Sequence, residues 1–498
     1  MCWWLGLALL AVLATAVRLP GLTGDGFWFD ELLTAEYAAG GGDVTLHLPH
    51  DQWITPVPRP TELGRHPVWA IWTGLDGTVH PPLFYMAARG WASVFGATDV
   101  GYRSWSLTCS VAGVLVLAAI VCRLHGRKAG LVAGLLLALS APQIYFGHDA
   151  KHYPQAQLTL LLAAWVAALG VASGRFTWAR SALLAMLLTA APLTHYFTIG
   201  AAVAIGGWAM WRSGDAWRRV VTCGVVAALV GGLAWLPQML RARGHGFSTS
   251  LWVGDYDRLL PELTRQVGEL PLGMLVHVEN VPGLLLAVSW GLWLVPAVWA
   301  WRRRDAKLAL WVGWFVVALT PALGASLWLG KEVIAYPRYT VFAAPALCAL
   351  VAAGMPVTMR RFGDVGGAVA RWIIPAAVVV LVTVELTRPY TRHMSDYKPL
   401  ASHVVDASRP GDGLVVVVQP DDSLLHCGLF MAVTHYAGDD RFAELWLANQ
   451  ASPTLSTARV WVLTPYGSEG VEIDGYERVS VEGYPPVGSA TLWRRATP

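Results

Sequence analysis

The segment Met1 to Val17, MCWWLGLALLAVLATAV, carries no charged residue, and Gly24-Asp25-Gly26-Phe27-Trp28-Phe29-Asp30-Glu31 follows it closely. A run of that length approaches the ~20 apolar residues needed to cross ~30 Å of hydrocarbon. Acids are costly inside hydrocarbon and tolerated at its edge. Asp30 and Glu31 therefore read either as a solvated helix end or as a site poised over the membrane surface. Ala14-Thr15-Ala16 would suit a signal-cleavage site, but the segment lacks the basic start of a secretory signal, so an uncleaved first span is expected.

The rest of the chain has the same character. Of 498 residues, 55% are hydrophobic and 14% charged, against about 25% charged in soluble domains. The expectation is an integral membrane protein. A net charge of +3 gives no reason to expect a polyanionic partner, and neither a zinc-type cysteine pair nor a Gly-Lys-Ser/Thr phosphate loop occurs. Nucleic-acid binding and nucleotide hydrolysis are set aside on those grounds. Cys2, Cys109, Cys122, Cys223 and Cys348 fall in or beside apolar runs and only Cys427 in a soluble stretch, so no disulfide framework is expected.

Further runs of bilayer length lie at 104–122, 129–147, 154–174, 220–240, 281–301, 308–330 and 339–359, with a less clean one at 366–387. Two stretches are ambiguous: Pro81 to Phe95, which is short and carries Arg89, and Ser181 to Trp211, which is too long for one span. The basic clusters Arg123/Arg127/Lys128, Arg175/Arg180, Arg212/Arg218/Arg219, Arg302/Arg303/Arg304/Lys307 and Arg360/Arg361 decide between the choices. All of them fall on the cytoplasmic side if 81–95 lies along the outer interface and 181–211 is a hairpin turning near His195.

That choice gives a polytopic α-helical membrane protein of about eleven transmembrane helices. Its transmembrane module is expected at 1–389, with a cytoplasmic N-terminus and outer loops at 18–103 and 241–280, and the tail 390–498 is expected outside the membrane. Asp30, Glu31, His80, Asp149, Lys151, His195 and Arg338 then face one outer surface, although only lysines and arginines of the opposite loops fixed the topology. Leu259, Leu263, Val267 and Leu270 recur at helical spacing in the second loop, which reads as an interfacial helix, either a lid or a plain surface element. In the tail, Tyr397–Ser408 and Ser423–Tyr436 read as helices, and Gly413–Gln419, Arg459–Leu463 and Ser489–Arg494 as strands, a small α/β domain. The 26 tryptophans fit interfacial belts.

Five motifs occur in a telling order: Phe27-Trp28-Phe29-Asp30-Glu31, His80-Pro81-Pro82-Leu83-Phe84-Tyr85, Ser140 to Phe146 before an acid, Thr194-His195-Tyr196-Phe197, and Pro337-Arg338-Tyr339. Together they resemble the GT-C class of polyprenyl-phosphate-sugar glycosyltransferases, the superfamily of protein O-mannosyltransferases and the lipid A aminoarabinose transferase. The resemblance covers about residues 1–390. It implies an enzyme of the plasma membrane and cell envelope that passes a hexose or pentose from a lipid-phosphate carrier to a glycan, lipid or protein acceptor on the outer side, usually with inversion.

The resemblance assigns Asp30 as base or acceptor-orienting acid, with Glu31 in support. A departing phosphate gathers charge and needs cations, for which Lys151 and Arg338 stand on the appropriate side, with Tyr339 beside Arg338. In the string His148-Asp149-Ala150-Lys151-His152-Tyr153, relatives usually carry Arg where Lys151 stands; lysine keeps the charge and loses the bidentate fork. Lys151 thus suits a phosphate contact or a helix cap. Asp149 suits three roles: positioning the acceptor, holding a divalent cation with Asp30, or pairing with Lys151. His80 and His195 suit substrate contacts or backbone hydrogen bonds, and Arg338 a phosphate contact or a headgroup anchor. No cofactor is required by the resemblance beyond the lipid-linked donor, and the acids are compatible with a divalent metal. Two other readings stay open: a lipid-linked-sugar flippase or transporter, against which the lack of an internal repeat counts, and a membrane scaffold displaying the tail.

Overall fold

A computed structural model of the chain describes residues 3–75, 80–242, 253–276, 283–361, 396–418, 425–438, 440–449, 456–468 and 471–496. The expected run at 366–387 lies outside the described residues. Contacts divide the chain into two compact units. One comprises Met1–Leu22, Val79–Phe84 and Arg103–Pro389, the other Thr23–Thr78, Tyr85–Tyr102 and Tyr390–Pro498.

The first unit is a helical bundle. Among the described residues, seven helices are long and apolar enough to cross a membrane. An eighth is added if Arg127–Leu139 and Ala141–Gly147, bent by 64°, form one span. Trp178–Ala190 and Ile199–Arg212 form the expected hairpin, with His195 between them. Residues of Pro337–Gly354 are 72% buried, whereas the windows of Gly214–Leu240 and Leu285–Arg303 are 17% buried. The former is central, and the latter two turn apolar side chains such as Val226, Leu229 and Leu233 outward, as lipid-facing helices do. The chain is therefore a polytopic helical membrane protein with a sheet near its C-terminus.

Where the sequence reads one apolar run at 129–147, the structure breaks it. Ser140 is extended, with φ −63° and ψ 118°, and Pro142 begins the second helix. Proline has no N–H to offer the carbonyl four residues back, which is that of Ala138. Arg18, fully buried, supplies the missing donor: its Nη1 donates to Ala138 O at 3.1 Å and to Ala14 O at 2.9 Å, and its Nε to Ser110 Oγ at 2.9 Å. Ser140 Oγ donates to Met274 O at 2.6 Å. The Nη2 of Arg18 has no hydrogen-bond partner among the described residues, and the bonds from Nε and Nη1 help to make a buried cation tolerable in a bundle.

The second unit is built on a six-stranded sheet of order β1-β3-β2-β4-β6-β5. The strands are β1 (Trp53–Ile54), β2 (Asp412–Val417), β3 (Phe442–Ala448), β4 (Arg459–Pro465), β5 (Tyr476–Tyr484) and β6 (Gly488–Arg495). The central three, β3, β2 and β4, run parallel, and the outer pairings are antiparallel. All six residues of β2 are buried, as a strand covered on both faces must be. Helices Lys398–Ala407 and Leu425–Ala437 pack on the sheet, close to the expected positions. Strand β1 comes from the first long loop and pairs Trp53 with Trp446 and Ile54 with Leu445. Loop and tail thus share one sheet.

Candidate active site

In the second unit, the helix Phe29–Ala39 starts immediately after Trp28. Asp30 and Glu31 are its second and third residues, where the positive end of the helix dipole favours carboxylates. The two acids are treated differently by the fold. Asp30 is half-buried, while Glu31 is fully buried and its Oε2 accepts the Trp28 N–H at 3.4 Å, the return contact of a capping box. Further along the helix, Glu36 is also buried; Thr45 donates to its Oε1 twice, from N–H and from Oγ1, at 2.8 Å each. Burial, with Asp43 adding to it, pushes the Glu36 carboxyl up to about 7.

The remaining expected site residues belong to the first unit. His80, His195 and His152, the last without an assigned role in the sequence reading, cluster with their rings tilted to one another. Ring centroids lie 4.7 Å apart for His80 and His152, 4.5 Å for His152 and His195, and 6.1 Å for His80 and His195. Tyr153 and Phe342 close against His195, with centroids 5.4 and 5.0 Å away. The fold places these residues through chain ends: His152 precedes the helix Tyr153–Ser173 with Pro154 in its first turn, and His195 sits in the hairpin turn. His195 Nδ1 accepts the Phe197 N–H at 3.2 Å. Its Nε2, and both ring nitrogens of His152, are buried without a hydrogen-bond partner among the described residues.

Desolvation holds both imidazoles well below the usual histidine range, and neighbouring bases add to it: His195, His80, Lys151 and Arg338 for His152, and His80 and Arg338 for His195. Lys151 is buried, Arg338 half-buried, and the Lys151 carbonyl accepts from Ser106 Oγ at 3.1 Å. Tyr339 packs against Phe197, with ring centroids 4.7 Å apart and the planes tilted by 34°. Asp149 is buried, and its carbonyl accepts the Lys151 N–H at 2.7 Å. Among the described residues no group of three or more His, Cys, Asp and Glu is placed to hold a metal ion. Beside Pro337, a cavity of about 200 Å³ is bordered by Leu270, Met274, Pro337, Thr340 and Val341, with Gln266 and Glu269 as polar members. The one sequence signal for His152 was its place beside Lys151 at a helix start.

No curated protein matches the chain. Residues 79–238 match the family model described as dolichyl-phosphate-mannose-protein mannosyltransferase. Among solved structures, ArnT from Cupriavidus metallidurans bound to undecaprenyl phosphate matches with a TM-score of 0.56 at 14% identity, over 97% of each chain. The arabinofuranosyltransferase AftD from Mycobacteria matches with 0.51 at 15% identity, over 100% of this chain and 40% of that one. The apo oligosaccharyltransferase of Archaeoglobus fulgidus matches with 0.50 at 13% identity over 90% of this chain, which spans 64% of that protein's length. At such identities the likeness is one of fold. In that fold, and in the segment that its family model matches, the chain resembles the GT-C superfamily of glycosyltransferases that use polyprenyl-phosphate sugars.

Proposed function

We propose that this protein is a glycosyltransferase that moves a sugar from a polyprenyl-phosphate carrier to an acceptor on the outer side of the membrane, with inversion. The observation that carries the reading is the buried cluster in the first unit, where both ring nitrogens of His152 and the Nε2 of His195 have no hydrogen-bond partner among the described residues and Lys151 and Arg338 stand near enough to act on His152. An imidazole N–H without a partner, beside two cations, suits an anion, and a lipid-linked phosphate is the anion a membrane protein of this fold meets. The ArnT structure of similar fold is bound to undecaprenyl phosphate. On this reading Lys151, Arg338, His80, His152 and His195 hold the donor phosphate, Tyr339 stiffens that wall, and the cavity beside Pro337 takes the start of the isoprenoid chain.

Asp30 is the base. Its carboxylate takes the proton of the acceptor hydroxyl while the acceptor oxygen bonds to the anomeric carbon. The bond from that carbon to the phosphate oxygen breaks, and polyprenyl phosphate departs with the bonding pair. A single displacement inverts the anomeric centre. Asp149 orients the acceptor, and Glu31 supports the loop by capping the helix. About eleven spans with a cytoplasmic N-terminus put these residues on the outer side. Asp30→Asn is expected to lower transfer from a polyprenyl-phosphate sugar about 10²- to 10⁴-fold while the protein still inserts in the membrane. Turnover near that of the unaltered protein would contradict the assignment.

A further inference from the structure

The helix that carries Asp30 is entered through three residues whose backbone donors are all taken by side chains. Gly26 N–H donates to Asp396 Oδ1 at 3.2 Å, Phe27 N–H to Tyr436 Oη at 2.9 Å, and Trp28 N–H to Glu31 Oε2 at 3.4 Å. The first two acceptors stand 370 and 409 residues further along the chain. Tyr436 is held in turn: its Oη donates to Asp99 Oδ1 at 3.0 Å, and Asp99 Oδ2 accepts from Lys398 Nζ at 2.8 Å. Asp396 Oδ1 also accepts the Lys398 N–H at 3.0 Å. Phe27 is fully buried between Tyr102 and His435, with ring centroids 5.9 and 5.3 Å away. At Gly26 a Cβ would run into the Lys398 side chain, so the backbone there can approach the tail only as glycine.

Apolar packing alone would have anchored a tail. A chain of hydrogen bonds from the Phe27 N–H to Tyr436 and from Tyr436 to Asp99, to which Lys398 also donates, does more, because it fixes where the next residues point. A misplacement of about 1 Å in a reacting group can cost ~10²-fold in rate, and Asp30 lies three residues beyond Phe27. We propose that Tyr436, backed by Asp99 and Lys398, is a positioning residue for Asp30, so that the C-terminal part of the chain sets turnover. The proposal rests on the reading of Asp30 as the base.

Tyr436→Phe keeps the ring and removes the acceptor for Phe27 N–H. In detergent-purified full-length protein, kcat per folded molecule is expected to fall about 10- to 100-fold, with KM for the lipid donor within about twofold. Hydrogen exchange should quicken at the amides of Gly26 and Phe27. Lys398→Arg, which keeps the charge on Asp99, should retain most of kcat. An unchanged kcat for Tyr436→Phe would overturn the proposal, as would a loss that unfolding fully accounts for. If the unaltered protein transfers no sugar from any polyprenyl-phosphate donor, the transferase reading itself falls. Unchanged exchange at Gly26 and Phe27 in Tyr436→Phe would instead refute the anchoring, whatever the activity.

Discussion

At Gly26, Phe27 and Trp28 each backbone N–H meets a side-chain oxygen, whereas both ring nitrogens of His152 and the Nε2 of His195 are buried without a hydrogen-bond partner among the described residues. Both regions are polar, and both lie largely out of solvent. A buried polar group left unpaired costs about 1–3 kcal/mol, so a fold keeps such groups chiefly where something else completes them. The first region has its partners within the chain and holds one geometry. The second has groups that a ligand can complete. On the proposed function, the contrast separates a part that positions chemistry from a part that binds charge.

Removing a cation should break the second region's function without touching its fold. Arg338→Ala is expected to lower kcat/KM for the lipid donor about 10²- to 10³-fold, with stability within about 0.5 kcal/mol of the parent. Transfer within threefold of the parent would show that the phosphate is held elsewhere.

The two regions should also answer pH with opposite signs. Glu36 titrates at about 7 when folded against 4.5 ordinarily, so its contribution to stability is full below 4.5 and is lost as pH rises through 7. At ~1.4 kcal/mol per unit the loss is roughly 3 kcal/mol. His152 and His195 are depressed below 6.5, so their contribution is present above 6.5 and is lost as pH falls toward their folded values. Hydrogen exchange, corrected for intrinsic rates, should show the helix Phe29–Ala39 losing protection from pH 4.5 to 7, and Glu36→Gln should abolish that change. The helix Tyr153–Ser173 should lose protection in the opposite direction, below 6.5. A common direction for both helices would refute the contrast.

The smallest effect should be the most telling. His152→Phe replaces an unpartnered buried imidazole with an apolar ring, so the ligand-free protein should gain about 1 kcal/mol. Affinity for polyprenyl phosphate should drop about 10-fold. Thermal unfolding and a lipid-binding titration measure the two. A variant that is both less stable and unaltered in binding would make His152 an ordinary core residue.

The sequence displayed the features that depend on local pattern. Apolar length placed helices such as Tyr153–Ser173 within a residue or two, and cationic bias folded 181–211 into a hairpin around His195. Pro142 breaks the 129–147 run, and the reason, a carbonyl satisfied by Arg18 from the turn after the first helix, is invisible along the chain. Strand β1 has two residues, too few for any periodicity, so the sharing of one sheet by loop and tail had no local signal. Strand β3, FAELWLA, takes its identity from burial between β1 and β2, which outweighs a composition compatible with a helix. Asp30 and Glu31 stood out as neighbours, but their division into a half-buried acid and a buried cap depends on the turn at Trp28. The Asp99–Tyr436 bond joins residues 337 apart, and the cluster of three histidines needs three chain segments to meet.

On the proposed function the imidazole and cation cluster holds the phosphate of a lipid-linked sugar, and a structure of the full-length protein with undecaprenyl phosphate bound decides it. The phosphate should lie within hydrogen-bonding distance, about 2.7–3.2 Å, of Arg338 or Lys151 and of at least one nitrogen of His152 or His195. Phosphate density away from all four, or a protein that binds no polyprenyl phosphate, would contradict it.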